Sequence, residues 1–235
     1  MQKKLDHLMA ELKKAYREGL VSVVLYGSAA AGDHHEHFSD LNVLCVLRQI
    51  GVRELEAAEP VFRWWREQGN PSPLLMSEAE LRESTDCFPI EFHDIRSCHR
   101  ILHGTDVVAE LPIDDRYYRA QLEHELRAKM LRLRQKAPGV LHDKVLLLRL
   151  MTDSVSTFCN LGRHALEIAG VESPVSKREA LARMAERFGI DIKPFAALLD
   201  LREGRTSAKQ VDARALFGEY LVGVERLTHA VERSV

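Results

Sequence analysis

Two short apolar, β-branched runs, Val21 to Tyr26 and Leu41 to Leu47, bracket one polar connection, and this segment constrains the chain more than any other. Each run reads as a strand. The first ends at Tyr26-Gly27-Ser28. Gly27 has no Cβ, so the backbone there can turn tightly and approach a ligand closely. Ser28 adds a hydroxyl and opens a short helical turn over Ser28 to Ala31, whose amides suit phosphate oxygens. The second strand is entered through Asp40-Leu41-Asn42. Side chains alternate along a strand, so Asp40 and Asn42 point to one face and Leu41 and Val43 to the other. Two oxygen-bearing side chains at that spacing can share a hard cation such as Mg²⁺.

Further along, Leu5, Leu8, Met9, Leu12 and Tyr16 recur at helical spacing. Val52 to Glu67 reads as a helix carrying Trp64 and Trp65, one ring buried and the other exposed. Leu74 to Met76 reads as a third strand. Ser77 with Glu80 forms a capping box for a short helix. Ile90 to Ile95 alternates and reads as a further strand, placing Glu91 and His93 on one face and Asp94 on the other. After Pro112 the pattern is almost entirely helical: a stripe of Tyr118, Leu122, Leu126, Met130 and Leu133, a long helix over Val140 to Ile168, a second capping box at Ser176 and Glu179, a helix started by Pro194, and a last one over Ala208 to Val231. The expected architecture is an α+β head, residues 1–112, with a short mixed sheet flanked by helices, followed by an all-α helical bundle, residues 113–235.

A strand ending in Gly-Ser, a loop, and Asp-x-Asp on the next strand is the signature that Gly27-Ser28 and Asp40-Leu41-Asn42 resemble. The chain is similar to nucleotidyltransferases of the polymerase-beta-like superfamily, and in layout to the small bacterial and aminoglycoside nucleotidyltransferases, which have a catalytic head followed by a helical domain. The resemblance covers roughly residues 20–105. It implies transfer of a nucleoside monophosphate from an NTP, ATP in the first instance, to a hydroxyl acceptor, with Mg²⁺ as cofactor. It also implies a third carboxylate on a later strand, which Pro89-Ile-Glu-Phe-His-Asp-Ile95 supplies, with Glu91 as the equivalent and Asp94 as the other candidate. Asp40, Asn42 and Glu91 are then the catalytic and metal-binding set, and Gly27 and Ser28 the nucleotide-binding pair. The chain departs from the pattern at Asn42, which is neutral where the family carries a second aspartate. This removes one negative charge from the metal site and implies weakened or single-metal chemistry. The alternative is a catalytically inactive protein of the same fold, binding a nucleotide or a protein partner, as the antitoxin members of the small nucleotidyltransferases do.

The formal net charge of −2 argues against a general nucleic-acid surface. No apolar run approaches membrane-spanning length and Met1 to Asp6 does not resemble a signal peptide, so the chain is expected to be cytoplasmic. Cys45, Cys87, Cys98 and Cys159 fit neither a metal knuckle nor a disulfide framework. The His34-His35-Glu36-His37 loop fits no standard zinc spacing and reads as a solvated loop. Arg163, His164, Lys177 and Arg178 read as surface charge. Expected partners are a nucleotide and a small-molecule or protein acceptor, with homodimerisation through the long helices compatible with every reading.

Overall fold

The computed structural model describes residues 1–27, 29–30, 41–172, 174 and 176–233. The chain divides into two compact units, Met1–Tyr117 and Tyr118–Val235.

In the first unit, α1 (Gln2–Tyr16) leads through a single 3₁₀ turn into β1 (Leu20–Tyr26); β2 (Asn42–Leu47), α2 (Val52–Glu67), β3 (Leu74–Ser77), α3 (Glu78–Glu83), α4 (Pro89–Ser97) and β4 (His99–Gly104) follow. The four strands make one mixed sheet in the order β3-β2-β1-β4, with β2 antiparallel to β1, β4 antiparallel to β1, and β3 parallel to β2. The two-residue period of a strand sends β1 into two cores. Val23 and Leu25 pack with Val43, Cys45 and Leu47 against Leu5, Leu8 and Leu12 of α1 and Trp65 of α2. Val24 packs with Leu44, Val46 and Met76 against Leu81 of α3 and Phe92 and Ile95 of α4. Helices cover both faces, which is why β1 and β2 read as continuous apolar runs rather than alternating ones. Burial raises the Cys45 thiol to about 12, so it is a passive core residue.

The capping box at α3 forms as expected: the Ser77 backbone N–H donates to Glu80 Oε2 at 2.7 Å and the Glu80 N–H donates to Ser77 Oγ at 3.2 Å. One expected strand is a helix. Ile90 to Ile95 lies in α4, not in the sheet. Pro89 occupies the first helical turn with its φ already set, and the Phe92 N–H donates to Phe88 O at 3.0 Å. Phe92 and Ile95, three residues apart, are both 1% exposed, so the apolar spacing serves a helix facing the sheet. The strand that pairs with β1 on this side is β4, a polar edge run, His-Arg-Ile-Leu-His-Gly, without a strand-like apolar alternation.

In the second unit α5 (Tyr118–Lys136), α6 (Lys144–Ile168), α7 (Lys177–Phe188), α8 (Lys193–Arg202) and α9 (Ala213–Arg233) pack with α6 against each of the others. The predicted α5 stripe, Tyr118, Leu122, Leu126, Met130 and Leu133, is buried throughout. Two helices start later than their patterns indicate, each at an aspartate cap. Asp143 Oδ1 accepts from the Val145 and Leu146 amides at 2.9 Å, and Asp212 Oδ1 from those of Arg214 and Ala215 at 3.0 and 3.1 Å. The second capping box is not made: Ser176 contributes no side-chain cap, and Glu179 instead accepts from Arg183 at 2.8 Å. Tyr220 forms edge-on contacts with Phe158 and Phe195, and its hydroxyl meets Ser154 Oγ at 2.9 Å. Arg163 and His164 are not surface residues; they are 8% and 1% exposed, and His164 Nδ1 lies 2.6 Å from the Tyr118 hydroxyl, which donates to Glu167 Oε2 at 2.7 Å. Arg178 pairs with Asp200 and Glu203, each at 2.7 Å. Among the described residues no helix is long and apolar enough to cross a membrane.

Candidate nucleotide site

β1 ends at Tyr26, and Gly27 turns the chain with φ +78°, a conformation in which L side chains are strained. Its N–H donates to Cys98 O at 3.0 Å and its carbonyl accepts from Ala30 N at 2.9 Å, closing a tight turn. An added Cβ at Gly27 would stand 3.5 Å from Asn42 Nδ2, an ordinary contact, so the backbone angle rather than space requires the glycine. Ser28, Asp40 and the loop carrying Asp33, His34, His35, Glu36 and His37 lie outside the described residues.

Directly opposite residues of antiparallel strands share a face. Tyr26 pairs with Asn42 on β2 and with His99 on β4, so these three form one row across the end of the sheet. α4 closes on the same face. Because it is a helix, Glu91 and Asp94 are three residues apart on one side of it, where a strand would have opposed them. Burial, then Asp94, then Glu91 raise the Tyr26 phenol above its ordinary range, so it stays a neutral hydrogen-bond donor. Both carboxylates disfavour the ionised form of Tyr26, Asp94 more strongly. Glu91 is exposed and Asp94 half-buried. His93, expected beside Glu91, has Nε2 2.6 Å from Asp115 Oδ1 instead.

Tyr26 and His99 carry no role in the sequence reading. Tyr26 was legible only as the last residue before Gly27, and His99 gave no signal because its strand did not. His99 Nε2 meets Asp106 Oδ2 at 3.0 Å, and Asp106 Oδ1 accepts from the Val108 and Ala109 amides at 3.0 and 2.9 Å. Burial pushes the Asp106 carboxyl up, but the His99 bond and the two amides outweigh it and hold it below the usual range. A depressed carboxyl contributes stability above its unfolded value, near 4, and loses it as pH falls through the folded value. Asp106→Ala is therefore expected to cost about 1 kcal/mol at pH 7, limited by solvent screening of a side chain 38% exposed. In urea unfolding at a series of pH values, that cost should fade below about pH 4; a cost unchanged down to pH 2.5 would refute the assignment.

Asn42, Glu91 and Asp94 offer oxygen donors, the type Mg²⁺ takes, and so fit a hard cation rather than a transition metal. Among the described residues no group of three His, Cys, Asp or Glu side chains forms a metal cage.

No family model matches the sequence, and no curated protein matches it. Solved structures do match. One is spectinomycin adenyltransferase AAD(9) from Enterococcus faecialis, solved with ATP and spectinomycin: the superposition has a TM-score of 0.61 at 12% identity and covers 99% of this chain and 100% of that one. Over its whole length, from the mixed four-stranded sheet with its helices through the helical C-terminal region α5–α9, this chain has the nucleotidyltransferase fold seen in AAD(9).

Proposed function

We propose that this protein transfers a nucleoside monophosphate from an NTP, most simply ATP, to a hydroxyl of an acceptor. The observation that carries this is the fold match over 99% of the chain to an adenyltransferase solved with ATP and its acceptor. The head, residues 1–112, holds the nucleotide, and the helical domain, residues 113–235, shapes the acceptor pocket. The Gly27 backbone and Ser28 cradle the β- and γ-phosphates. Asp40, Asn42 and Glu91 are the residues that hold Mg²⁺, which neutralises the triphosphate when bound. The acceptor oxygen forms a bond to the α-phosphorus while the bond to pyrophosphate breaks. The hydroxyl proton passes to a carboxylate of α4, Glu91 or Asp94, both of which disfavour the ionised form of Tyr26. Tyr26 stays protonated beside these carboxylates. The acceptor is an aminoglycoside or a protein side chain; AAD(9) itself was solved with spectinomycin.

Asn42 favours a second reading, in which the fold binds nucleotide or a protein partner without catalysis. Calorimetry with ATP and GTP, each with and without Mg²⁺, decides between them. Mg²⁺-dependent binding that weakens about tenfold in Asp40→Ala, together with pyrophosphate release in an acceptor screen, is the expected result. Binding without turnover across the screen supports the second reading. No binding under any condition would sink the nucleotide site itself.

A further inference from the structure

On the face of the sheet covered by α3 and α4, the first unit has a cavity of about 400 Å³. That volume is within the range of small-molecule sites. Its buried lining is Met76 of β3 with Phe92 and Ile95 of α4, all members of the core between the sheet and these two helices. α3 is pinned at its start by the Ser77–Glu80 capping box. The walls are therefore fixed before any ligand arrives. Leu74 and Phe88 also line the cavity but stay 39% and 49% exposed, so large apolar side chains stand in water at its mouth.

Two carboxylates share this apolar cavity, Glu80 and Glu91. Among the described residues neither is in an ion pair. Glu80 uses Oε2 to accept from the Ser77 amide at 2.7 Å, and Ser77 holds its carboxyl below the usual range, so it is charged at neutral pH. The surroundings have the same sign: residues 78–97 carry Glu78, Glu80, Glu83, Asp86, Glu91 and Asp94 against Arg82 and Arg96.

This chemistry selects the occupant. A divalent metal takes a shell of oxygen ligands, which two carboxylates over an apolar floor do not supply. A neutral apolar molecule would bring both carboxylates into a drier site without a counter-charge. An organic ammonium ion answers both halves. Its charge pairs with the carboxylates, the Phe88 and Phe92 rings attract a cation placed over them, and its apolar body covers Leu74 and Phe88. An aminoglycoside would leave hydroxyls unpaired against this floor, so the occupant is not such an acceptor. We propose that this cavity binds a small organic ammonium ion with an apolar body, its nitrogen at Glu80 and Glu91 and its apolar part on Phe88, Phe92 and Met76. The site does not rest on the nucleotidyl-transfer reading, although Glu91 serves in both.

The test is calorimetry of the full chain in EDTA, without nucleotide, with 2-phenylethylamine, benzyltrimethylammonium and the uncharged 2-phenylethanol as probes. At least one ammonium probe is expected to bind with a dissociation constant below about 1 mM, and 2-phenylethanol about tenfold more weakly or less. The double variant E80Q/E91Q, which keeps a capping-box acceptor at position 80, should weaken ammonium binding about tenfold. Phe88→Ala, at an exposed side chain that the fold does not need, should weaken it severalfold, and Asp40→Ala not at all. Tighter binding of the primary amine identifies hydrogen bonds to the carboxylates as the main hold; tighter binding of the quaternary ion identifies the rings. Failure of both ammonium probes to bind, equal binding of 2-phenylethanol, or binding unchanged in either E80Q/E91Q or Phe88→Ala overturns the proposal.

Discussion

Asn42→Asp is expected to raise Mg²⁺-dependent nucleotidyl transfer on the order of 10²-fold, the scale seen when a single charged group at a metal or transition-state site is added or removed. Asn42 stands at the start of β2, opposite Tyr26, in a row that α4 faces with two carboxylates. An amide there offers a neutral oxygen to a cation. A carboxylate adds a full negative charge at the place where the proposed function puts the triphosphate's counter-ion. The same substitution has a cost that serves as an internal control. Without a cation, the new carboxylate shares its end of the sheet with Glu91 and Asp94, and like charges in a partly desolvated site repel. The variant should therefore melt lower than the wild type in EDTA and recover with Mg²⁺, while the wild type responds much less. Pyrophosphate release measured against Mg²⁺ concentration, alongside melting temperatures with and without the ion, reads both effects. If the substitution changes neither turnover nor the Mg²⁺ dependence of melting, Asn42 does not face the metal and the assignment of the site is wrong.

What could be read from the sequence follows from where burial is symmetric and where it is not. β1 and β2 are covered by helices on both faces, so their apolar runs are unbroken and identify them at once. α2 and the α5 stripe have one buried face and a helical repeat, and both appear where expected. Pro89–Ser97 is short enough that six residues satisfy both a two-residue and a 3.6-residue period. Only the sheet, already completed on that side by β4, decides between them. β4 itself is an edge strand with polar residues at half its positions, and nothing local marks it. The candidate site inherits this asymmetry. Gly27 and Asn42 are readable because they punctuate strong strands. Tyr26, His99 and Asp106 are not, because their grouping depends on pairing register and on the true nature of α4. In the helical unit, His164 shows the same limit: a polar residue on a helix reads as surface until its partner, here Tyr118 on another helix, is known.

Gly104→Ala is expected to destabilise the protein by about 4 kcal/mol or more, well beyond an ordinary glycine-to-alanine change. Gly104 closes β4 opposite Ser22 with φ +76°. An ideal Cβ built there would lie 1.9 Å from the Val21 backbone oxygen, 2.9 Å from its carbonyl carbon and 3.1 Å from Ser22 Cα. These are backbone atoms of the central strand, so no side-chain rotation relieves the overlap. Relief requires separating β4 from β1, and that breaks a second set of contacts. Ser22, fully buried, donates its hydroxyl toward the carbonyls on either side of Gly104, His103 O at 3.2 Å and Thr105 O at 2.8 Å. Once those move away, a buried hydroxyl loses its partners as well. Gly170 provides the matched control. It has nearly the same backbone angle, φ +72°, but nothing within 4 Å of its virtual Cβ, so Gly170→Ala isolates the cost of the left-handed conformation, on the order of 1 kcal/mol. Urea unfolding followed by tryptophan fluorescence reports on the first unit, where both tryptophans lie, and circular dichroism reports on the whole chain. The fluorescence transition should collapse in Gly104→Ala, whereas Gly170→Ala, in the second unit, should shift the circular-dichroism transition only slightly. Equal, small shifts in the two variants would mean that β4 does not approach Val21 as closely as its pairing with β1 requires.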